Sequence, residues 1–275
     1  MQEKSTKEKY DELKEYISSF GSGAVAYSGG TDSTFLLYVA KKALGRNLIA
    51  VISVSSLIPE YEVREAKDYC KTLGVKQLSI EQDILDIEGF SANPTDRCYL
   101  CKNEIFKNIK RIALKENMNA IFEGSNADDE SDYRPGCKAL KELGIISPLQ
   151  KVGLTKKEIR ELSRLKNIPM WDKPSSACLA SRIPYGEEVN ENKLKMIEKC
   201  ENYLRELGFR QYRVRHYGLM AKVEILPEDF DKFMEEKTRF MVEQYFKHVG
   251  FVHIALDISG FKSGKMNEGL DMHNI

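Results

Sequence analysis

Three things are scarce in this sequence of 275 residues: cysteines, long apolar runs and an excess of either charge. Six cysteines fall far below the density of a small disulfide-stapled scaffold. The most apolar stretch, Leu48–Val54, is too short to cross a bilayer. The 42 basic residues balance the 42 acidic ones, which argues against broad electrostatic capture of nucleic acid or anionic lipid. We therefore expect neither a membrane-spanning segment nor a nucleic-acid partner.

The start of the chain also lacks an apolar signal sequence. Residues 1–16 are rich in Lys and Glu, whereas a secretory signal peptide needs an apolar run. We therefore expect a protein of the reducing cytoplasm. Its composition, 42% hydrophobic and 31% charged, is typical of a globular protein, and its length predicts one large domain and a smaller one.

The first 122 residues alternate between short apolar strands and amphipathic helices. The pattern predicts strands at 24–27, 48–54, 76–80 and 120–122, with helices between them that include 61–73 and 101–117. Strands that alternate with helices of this length form a parallel sheet covered on both faces. We therefore predict an α/β fold for this part of the chain.

A turn-rich stretch at 168–186, which holds three of the eight prolines, predicts a domain boundary. We place the first domain at 1–171 and a smaller α+β domain at 172–275. The second domain is predicted to contain a helix at 191–207, a hairpin of strands 211–217 and 221–226, a helix that begins at Pro227, and a last strand at 251–256.

A glycine-rich turn, SGGTDS at 28–33, separates the first predicted strand from the helix that follows it. Glycines let the backbone approach a ligand closely, and the unpaired N–H groups at a helix start favour anions, so we predict a phosphate site. The sequence has no Gly-x-x-x-x-Gly-Lys-Ser/Thr motif, whose lysine reaches the β- and γ-phosphates in Walker-type loops. A kinase or motor ATPase is therefore not expected. A glycine-rich turn with an ordinary helix cap is the simpler alternative.

This turn resembles the Ser-Gly-Gly-x-Asp-Ser signature of the PP-loop ATP pyrophosphatases, which transfer AMP to an acceptor oxygen and release pyrophosphate. The signature alone fits NAD, GMP, asparagine and argininosuccinate synthetases and tRNA-thiolating enzymes. Further segments narrow the choice: EGSNADD at 123–129, YRPG at 133–136, WDKPSSACLASRIPYG at 171–186 and RVRH at 213–216. With them, nearly the whole chain resembles the LarE family of ATP-dependent sulfur transferases.

The LarE resemblance implies an adenine nucleotide alpha hydrolase-like first domain, a substrate-binding and sulfur-transfer second domain, and an activity. The family makes the nickel-pincer nucleotide cofactor of lactate racemase by converting the carboxylates of pyridinium-3,5-biscarboxylic acid mononucleotide to thiocarboxylates. A carboxylate oxygen is a poor leaving group, so adenylation must activate it before sulfur replaces it. Mg²⁺ held near Asp32 would stabilise the departing pyrophosphate.

The resemblance also assigns residues to each part of the site. The implied catalytic residues are Ser28, Asp32 and Cys178. ATP binding is implied for Ser28, Gly29, Gly30, Thr31, Asp32, Ser33, Ser53, Val54, Ser55, Gly124 and Asp129. The substrate nucleotide is implied to contact Ser181, Arg182, Arg213, Arg215 and Glu224.

The six cysteines fall into two groups. Cys70 and Cys200 lie on predicted apolar helical stripes and are expected in the core. Cys98 and Cys101 form a C-x-x-C motif at a predicted helix start, whose positive end stabilises thiolates. Cys178 lies in the turn-rich boundary stretch, where no apolar periodicity explains it.

Two sulfur sources are implied by the resemblance. In some relatives only the cysteine that matches Cys178 is present, and it gives up its own sulfur and becomes dehydroalanine. In others the set matching Cys98, Cys101 and Cys178 holds a [4Fe-4S] cluster, whose open iron carries a transferable sulfide. A zinc site that adds Cys137 and a redox disulfide are the alternatives. Three roles remain open for Cys137 from the sequence: no part in the site, a fourth metal ligand, or a relay for sulfur.

The predicted strand at 211–217 carries two arginines on one face. A period of two places Arg213 and Arg215 together and turns His216 to the opposite, apolar face, where we expect a satisfied buried histidine. The functional interpretation is a clamp on the substrate phosphate. The simpler interpretation is a solvated strand with Glu224 as a surface ion-pair partner.

Two other functions remain open from the sequence. A PP-loop tRNA thiolase can also combine this signature with a cysteine-held [4Fe-4S] cluster, but a net charge of zero argues against a tRNA-binding face. A module that binds ATP or AMP without turnover is the other alternative. The LarE resemblance implies a small-molecule nucleotide substrate, a homo-oligomer, a sulfur donor and a downstream nickel-insertion protein.

Overall fold

The computed structural model describes residues 4–131, 135–174, 177–262 and 264–267. It divides into two compact units, one of Met1–Ile87 and Asp96–Ser176, the other of Glu88–Thr95 and Ala177–Ile275. The short insert at 88–95 lies inside the first domain expected from the sequence, but it belongs to the second unit. Buried Asn93 explains this, because its side-chain amide donates to the carbonyl groups of Ile183 and Pro184.

The first unit contains seven α-helices and four β-strands among its described residues. The helices are α1 Thr6–Ser18, α2 Thr31–Leu44, α3 Glu60–Leu73, α4 Arg97–Lys115, α5 Pro135–Glu142, α6 Pro148–Lys151 and α7 Lys156–Leu165. The strands are β1 Gly23–Ala26, β2 Leu48–Val54, β3 Lys76–Glu81 and β4 Ala120–Phe122. All four strands are parallel, in the order β3-β2-β1-β4. The predicted α/β fold is confirmed.

Helices cover both faces of this sheet, and the strand sequences reflect it. In β2, Ala50 and Ile52 pack into the core on one face, while Ile49 and Val51 pack into the core on the other. A strand that is buried on both faces has a continuous run of apolar residues, as the segment 48–54 does. The order also makes β1 the strand at which the chain changes direction across the sheet, and ligands of such folds bind at the carboxyl ends of these strands.

The second unit is a small α+β structure. Its helices are α8 Glu191–Glu206, α9 Phe230–Met234 and α10 Glu236–Val249, and its strands are β5 Tyr212–Tyr217, β6 Met220–Ile225 and β7 His253–Leu256. Strands β5 and β6 form the predicted antiparallel hairpin, and β7 pairs with β6 in parallel. The helix expected from Pro227 is instead a 3-10 turn followed by two helices, because Glu235 between them is extended, with φ −51° and ψ 135°.

Hydrophobic packing holds this second unit together. Cys200 and Leu204 of α8 contact a core to which the strands contribute Val214 and Val223 and α10 contributes Phe246. Across the described ranges of both units, no helix is long and apolar enough to span a membrane.

Candidate active site

The glycine-rich turn at 28–33, called the phosphate turn from here on, connects the end of β1 to the start of α2, as the sequence pattern predicts. The N–H of Tyr27 still donates to the carbonyl of Val51 at 2.9 Å, and α2 begins four residues later. Gly29 has a φ of +73°, and a Cβ at this position would come within 3.2 Å of the Ala66 Cβ. Gly30 precedes α2, and no side chain of the described residues caps this helix. Its first N–H groups therefore face a place suited to an anion.

The loop after β4 packs directly on this turn. A Cβ on Gly124 would lie 3.0 Å from the backbone nitrogen of Ser33, so only glycine lets the two segments approach this closely. The neighbouring Glu123 is buried, and its carboxylate accepts hydrogen bonds from the backbone and hydroxyl groups of Ser125 and from the Ser147 hydroxyl. Gly124, which the resemblance assigns to ATP binding, therefore lies against the phosphate turn.

Asp32 is the charged centre of this site. Its Oδ2 accepts a hydrogen bond from Lys156 Nζ at 2.6 Å and one from the side-chain amide of Asn126 at 3.4 Å. Burial raises the pKa of Asp32, the negative charge of Asp129 adds to this effect, and Lys156 opposes it. The other oxygen, Oδ1, is buried without a hydrogen-bond partner among the described residues.

Asp128 and Asp129 are structural parts of the adjoining loop. Asp129 accepts the backbone N–H of Asn126 at 3.0 Å, and Asp128 accepts the backbone N–H of Lys156 at 2.8 Å. Asp128 therefore joins the loop to the start of α7, which explains how Lys156 is held near Asp32.

Three of the residues to which the resemblance assigns ATP binding, Ser53, Val54 and Ser55, lie at the end of β2. This is the same sheet edge as the phosphate turn, since β2 pairs with β1. The hydroxyl of Ser53 is buried and has no hydrogen-bond partner within the described part of the chain. Ser55 accepts the backbone N–H of Leu57 at 3.4 Å, and Val54 lies between them. Ser53 therefore keeps a hydroxyl without a hydrogen-bond partner among the described residues at this edge of the sheet.

In the second unit, the arginines of β5 are buried. Arg213 is 8% exposed and Arg215 is 5% exposed, while Glu224 is fully buried. The Nη2 of Arg215 donates to Glu224 at 2.8 Å, and its Nη1 donates to the carbonyl of Ser181 at 2.7 Å. Arg213 donates to the Tyr212 carbonyl at 2.7 Å. The interpretation of a solvated strand with a surface ion pair is wrong, because these charges lie inside the unit.

His216 is buried on the opposite face of β5, as predicted, and its ring lies edge-on to Phe251 with centroids 5.3 Å apart. It is not a fully satisfied histidine, because Nδ1 has no hydrogen-bond partner in the described ranges. Burial lowers the pKa of His216, and the charge of Lys193 lowers it further. The ring is therefore held in its neutral form inside the unit.

The cysteines divide as the sequence predicts. Cys70 and Cys200 are fully buried. Burial raises the pKa of the Cys70 thiol to about 12, and it also raises the pKa of the Cys200 thiol. Cys98 is exposed at the start of α4, with Cys101 partly exposed in the next turn, and Cys137 is also partly exposed.

The starts of α4 and α5 lie side by side. A Cβ on Gly136 would lie 3.4 Å from the Cys98 carbonyl oxygen and 2.6 Å from the Lys102 Cδ. This contact brings the segment of Cys137 to the same end of α4 as Cys98. Cys178 belongs to the second unit and is partly exposed. Among the described residues, no three His, Cys, Asp or Glu side chains are arranged to hold a metal ion.

Comparison with known proteins decides the family. Residues 5–206 match the family model described as NAD synthase. The chain is 34% identical over 247 residues to the pyridinium-3,5-bisthiocarboxylic acid mononucleotide synthase of Lactiplantibacillus plantarum, covering 90% of this chain and 89% of that protein. This chain belongs to the LarE family of PP-loop proteins.

Two further relatives are described only as uncharacterized proteins. An uncharacterized protein of Synechocystis is 38% identical over 263 residues, covering 95% of this chain and 98% of the relative. Another, from Methanocaldococcus jannaschii, is 30% identical over 239 residues, covering 87% of this chain and 90% of the relative. Two of the segments that carry the resemblance, 133–136 and 171–186, contain residues outside the described ranges, at 133–134 and 175–176.

The charge pattern around Asp32 fits a divalent cation. Mg²⁺ prefers carboxylate oxygens and is usually held by one or two of them together with substrate phosphates. Asp32 Oδ1 is a buried carboxylate oxygen without a partner among the described residues, and the charge of Asp129 acts on it. These residues fit the metal that the PP-loop family uses with ATP.

Lys156 and Lys173 are the functional candidates that sequence reasoning missed. Lys173 Nζ lies 3.4 Å from the Gly29 carbonyl oxygen and 3.0 Å from Glu65. The sequence does signal the helix that carries Lys156, because Thr155 and Glu158 form a capping box. That signal places the helix, but it does not show that its first residue meets Asp32.

Proposed function

We propose that this LarE-family chain is an ATP-dependent sulfur transferase that adenylates a substrate carboxylate, releases pyrophosphate and then replaces the carboxylate oxygen with sulfur. The proposed substrate is pyridinium-3,5-biscarboxylic acid mononucleotide, and the product is its thiocarboxylate. The observation that carries the proposal is the phosphate turn, with Asp32 and Lys156 at 2.6 Å, in a chain 34% identical to a bisthiocarboxylic acid mononucleotide synthase.

The first step binds and cleaves ATP in the first unit. The uncapped N–H groups at the start of α2 bind the phosphates, and the Lys156 and Lys173 ammonium groups neutralise the pyrophosphate as it leaves. Asp32 and Asp129 would hold Mg²⁺, which neutralises phosphate charge when bound. The substrate carboxylate attacks the α-phosphorus, the bond to pyrophosphate breaks, and an acyl-adenylate forms.

The second step exchanges oxygen for sulfur. A sulfur nucleophile attacks the acyl carbon, the carbon–oxygen bond breaks, and AMP leaves with that oxygen. Ser181, Arg213 and Arg215 are proposed to hold the substrate phosphate, because Arg213 and Arg215 lie two residues apart on one face of β5 and place two positive charges there. Glu224, fully buried against Arg215, holds that arginine in place.

Cys98, Cys101 and Cys178 are proposed to hold a [4Fe-4S] cluster. Thiolates are the ligands that iron–sulfur clusters need, and all three thiols are at least partly accessible. When bound, the cluster would offer a sulfide on the iron without a protein ligand. We place this chemistry in the reducing cytoplasm, because a [4Fe-4S] cluster held by cysteine thiolates needs cysteines in their reduced form.

The adenylation step is tested by product analysis. Wild-type chain with ATP and the carboxylate substrate is expected to form AMP and pyrophosphate in equal amounts. Asp32→Ala and Ser28→Ala should abolish this release, whereas Asp68→Ala, an exposed acidic residue of α3, should leave it unchanged. Formation of ADP and orthophosphate by the wild-type chain would contradict the proposal.

The sulfur source is tested on anaerobically purified protein. Cys98→Ala, Cys101→Ala and Cys178→Ala should each lose iron, acid-labile sulfide and the thiolated product but keep ATP binding. Cys70→Ala, Cys200→Ala and Cys137→Ala should retain the cluster. If the Cys98 and Cys101 variants still deliver one sulfur per chain and leave dehydroalanine at 178, the cluster proposal is wrong and Cys178 supplies its own sulfur.

A further inference from the structure

Arg182 is buried, and its guanidinium group donates hydrogen bonds to neighbouring groups of the second unit. It is 1% exposed, and its Nε and Nη2 donate to the two carboxylate oxygens of Glu201 at 2.9 and 2.8 Å. Its Nη1 donates to the carbonyl groups of Ala177 and Cys178 and to the hydroxyl of Ser181. The edge of the guanidinium that could grip a phosphate with two parallel hydrogen bonds is therefore used on Glu201.

The carbonyl group of Cys178 receives an unusual number of hydrogen bonds. Arg182 Nη1 donates to it at 2.9 Å, the Ser181 hydroxyl at 2.8 Å and the Ser181 backbone N–H at 3.0 Å. A carbonyl oxygen has two lone pairs, so three donors, one of them charged, hold the peptide plane that follows Cys178. The thiol itself stays partly exposed. The main chain of Cys178 is therefore held firmly while its sulfur remains accessible.

Glu201 connects this arrangement to the core of the second unit. It lies on α8 and is 6% exposed, and its Oε1 also accepts the backbone N–H of Val214 in β5 at 3.0 Å. Burial alone would raise the pKa of Glu201, but the charge and hydrogen bonds of Arg182, with the charge of Arg213, lower it below its ordinary value. The pair therefore remains ionised at neutral pH.

A buried ion pair is not explained by packing alone. Removing two charges from water is costly, and apolar residues of similar volume are often at least as stabilising. What apolar residues cannot supply is the set of donors that Arg182 directs at the main chain of 177 and 178. The contacts therefore indicate that the pair serves the conformation of the Cys178 segment.

We propose that Arg182 and Glu201 form a positioning pair for Cys178, which acts on the sulfur-transfer step and not on binding of the substrate phosphate. The inference rests on the proposed part of Cys178 in sulfur delivery. It moves Arg182 from the substrate contacts that the family resemblance implies to the support of the reacting cysteine. Ser181 connects the Cys178 segment to the arginines of β5. Its hydroxyl donates to the carbonyl group of Cys178, and its own carbonyl group accepts a hydrogen bond from Arg215.

The test compares Arg182→Lys and Glu201→Gln with the wild-type full-length chain. Lysine keeps the positive charge, but its single nitrogen cannot reach both oxygens of Glu201 and the two carbonyl groups. We expect the alkylation rate of Cys178 by iodoacetamide, resolved by mass spectrometry, to change relative to that of Cys98 and Cys137. The kcat for thiolation should fall by about 100-fold, as for a displacement of roughly 1 Å, with the KM for the nucleotide substrate retained.

The matched control is Lys9→Met, which breaks another part-buried ion pair, with Glu158 at 2.8 Å in the first unit. It should leave Cys178 alkylation and kcat unchanged, which separates positioning from a general loss of stability. Should Arg182→Lys fail to fold, Glu201→Gln, with the same shape and no charge, provides the same comparison.

Two results would overturn the proposal. One is a KM for the nucleotide substrate raised by about 10- to 100-fold with Cys178 alkylation unchanged, the effect of losing a charge-assisted phosphate contact. The other is unchanged Cys178 alkylation in both variants together with wild-type kcat. A wild-type chain that forms no thiocarboxylate contradicts the proposed function instead, and Cys178 alkylation still reports on the pair.

Discussion

Asp32 shows how burial and charge are balanced at the nucleotide site. Burial raises the pKa of its carboxyl group, and Lys156 at 2.6 Å works against that effect. The proposed binding of ATP and a cation at this site needs this carboxylate ionised. Lys156 favours the charged form of Asp32, and in the proposed function its ammonium group also contacts the phosphates.

Lys156→Ala should lower the rate of pyrophosphate formation at low ATP by about 10- to 100-fold, the cost of one charge-assisted hydrogen bond. Loss of the ammonium group should also raise the pKa of Asp32 and shift the acidic limb of the rate profile to higher pH. The matched control is Lys157→Ala, since that neighbour is exposed. Equal rates for the two variants would exclude Lys156 from the site.

His216 predicts a pH dependence of the free energy of unfolding. Its folded-state pKa is lowered by burial, whereas an unfolded histidine titrates near 6.5. The unfolded chain therefore binds more protons below about pH 6.5, and stability falls as the pH drops from there towards the folded pKa.

Urea unfolding at pH 7.5 and 5.5 measures this effect. His216→Gln should reduce the loss of stability between the two pH values, whereas His253→Gln, at an exposed histidine, should keep it. An identical loss in the wild-type chain and the His216 variant would show that other groups cause it.

At the scale of elements, local patterns predict most of the fold but not the ends of every helix. The strand at 48–54 is predicted to the residue, because both of its faces are buried and the apolar run has clear limits. Helix α4 begins at Arg97, four residues before the predicted start, because Arg97 is the buried residue of its first turn and no buried apolar residue marks this end of the helix. The contact of Lys156 with Asp32 joins residues 124 positions apart, so no local pattern contains it.

The same reasoning explains what was missed in the second unit. The period of two placed Arg213 and Arg215 on one face, but it could not show whether that face is solvated or buried. The answer depends on residues that are distant in sequence. Glu201 of α8 accepts a hydrogen bond from Arg182, and the carbonyl group of Ser181 accepts one from Arg215. Buried charges are the usual failure of sequence patterns, because polarity is taken as exposure.

The packing of the β4 loop on α2 gives a prediction at this scale. Gly124→Ala would place a Cβ 3.0 to 3.3 Å from three backbone and Cβ atoms of Ser33, so the phosphate turn must shift. We expect ATP affinity to fall by about tenfold or more, since overpacking of this kind costs roughly 1–3 kcal/mol.

Gly136→Ala is the matched control for this variant. Its added Cβ meets mainly the flexible side chain of Lys102, which can move away. Calorimetric titration with a non-hydrolysable ATP analogue compares the two variants. Unchanged affinity in Gly124→Ala would separate this loop from the nucleotide site.

At the scale of the whole molecule, the proposed reaction divides its tasks between two compact units. The first unit holds the phosphate turn, Asp32 and the C-x-x-C motif, and the second holds Cys178 and the arginines of β5. In the proposed reaction, adenylation requires the chemistry of the first unit, and sulfur transfer requires Cys178 of the second. Variants of Asp32 should therefore stop both steps, while variants of Cys178 should stop only the second.

The oxygen that leaves the substrate carboxylate provides the most direct test of adenylation followed by sulfur replacement. The substrate is labelled with ¹⁸O in its carboxylates and incubated with ATP and anaerobically purified protein, and AMP, pyrophosphate and the pyridinium product are analysed by mass spectrometry. We predict one ¹⁸O atom in AMP for each thiocarboxylate formed, with unlabelled pyrophosphate. Label in orthophosphate, accompanied by ADP, would show that the carboxylate is activated as an acyl phosphate and would contradict the proposed function.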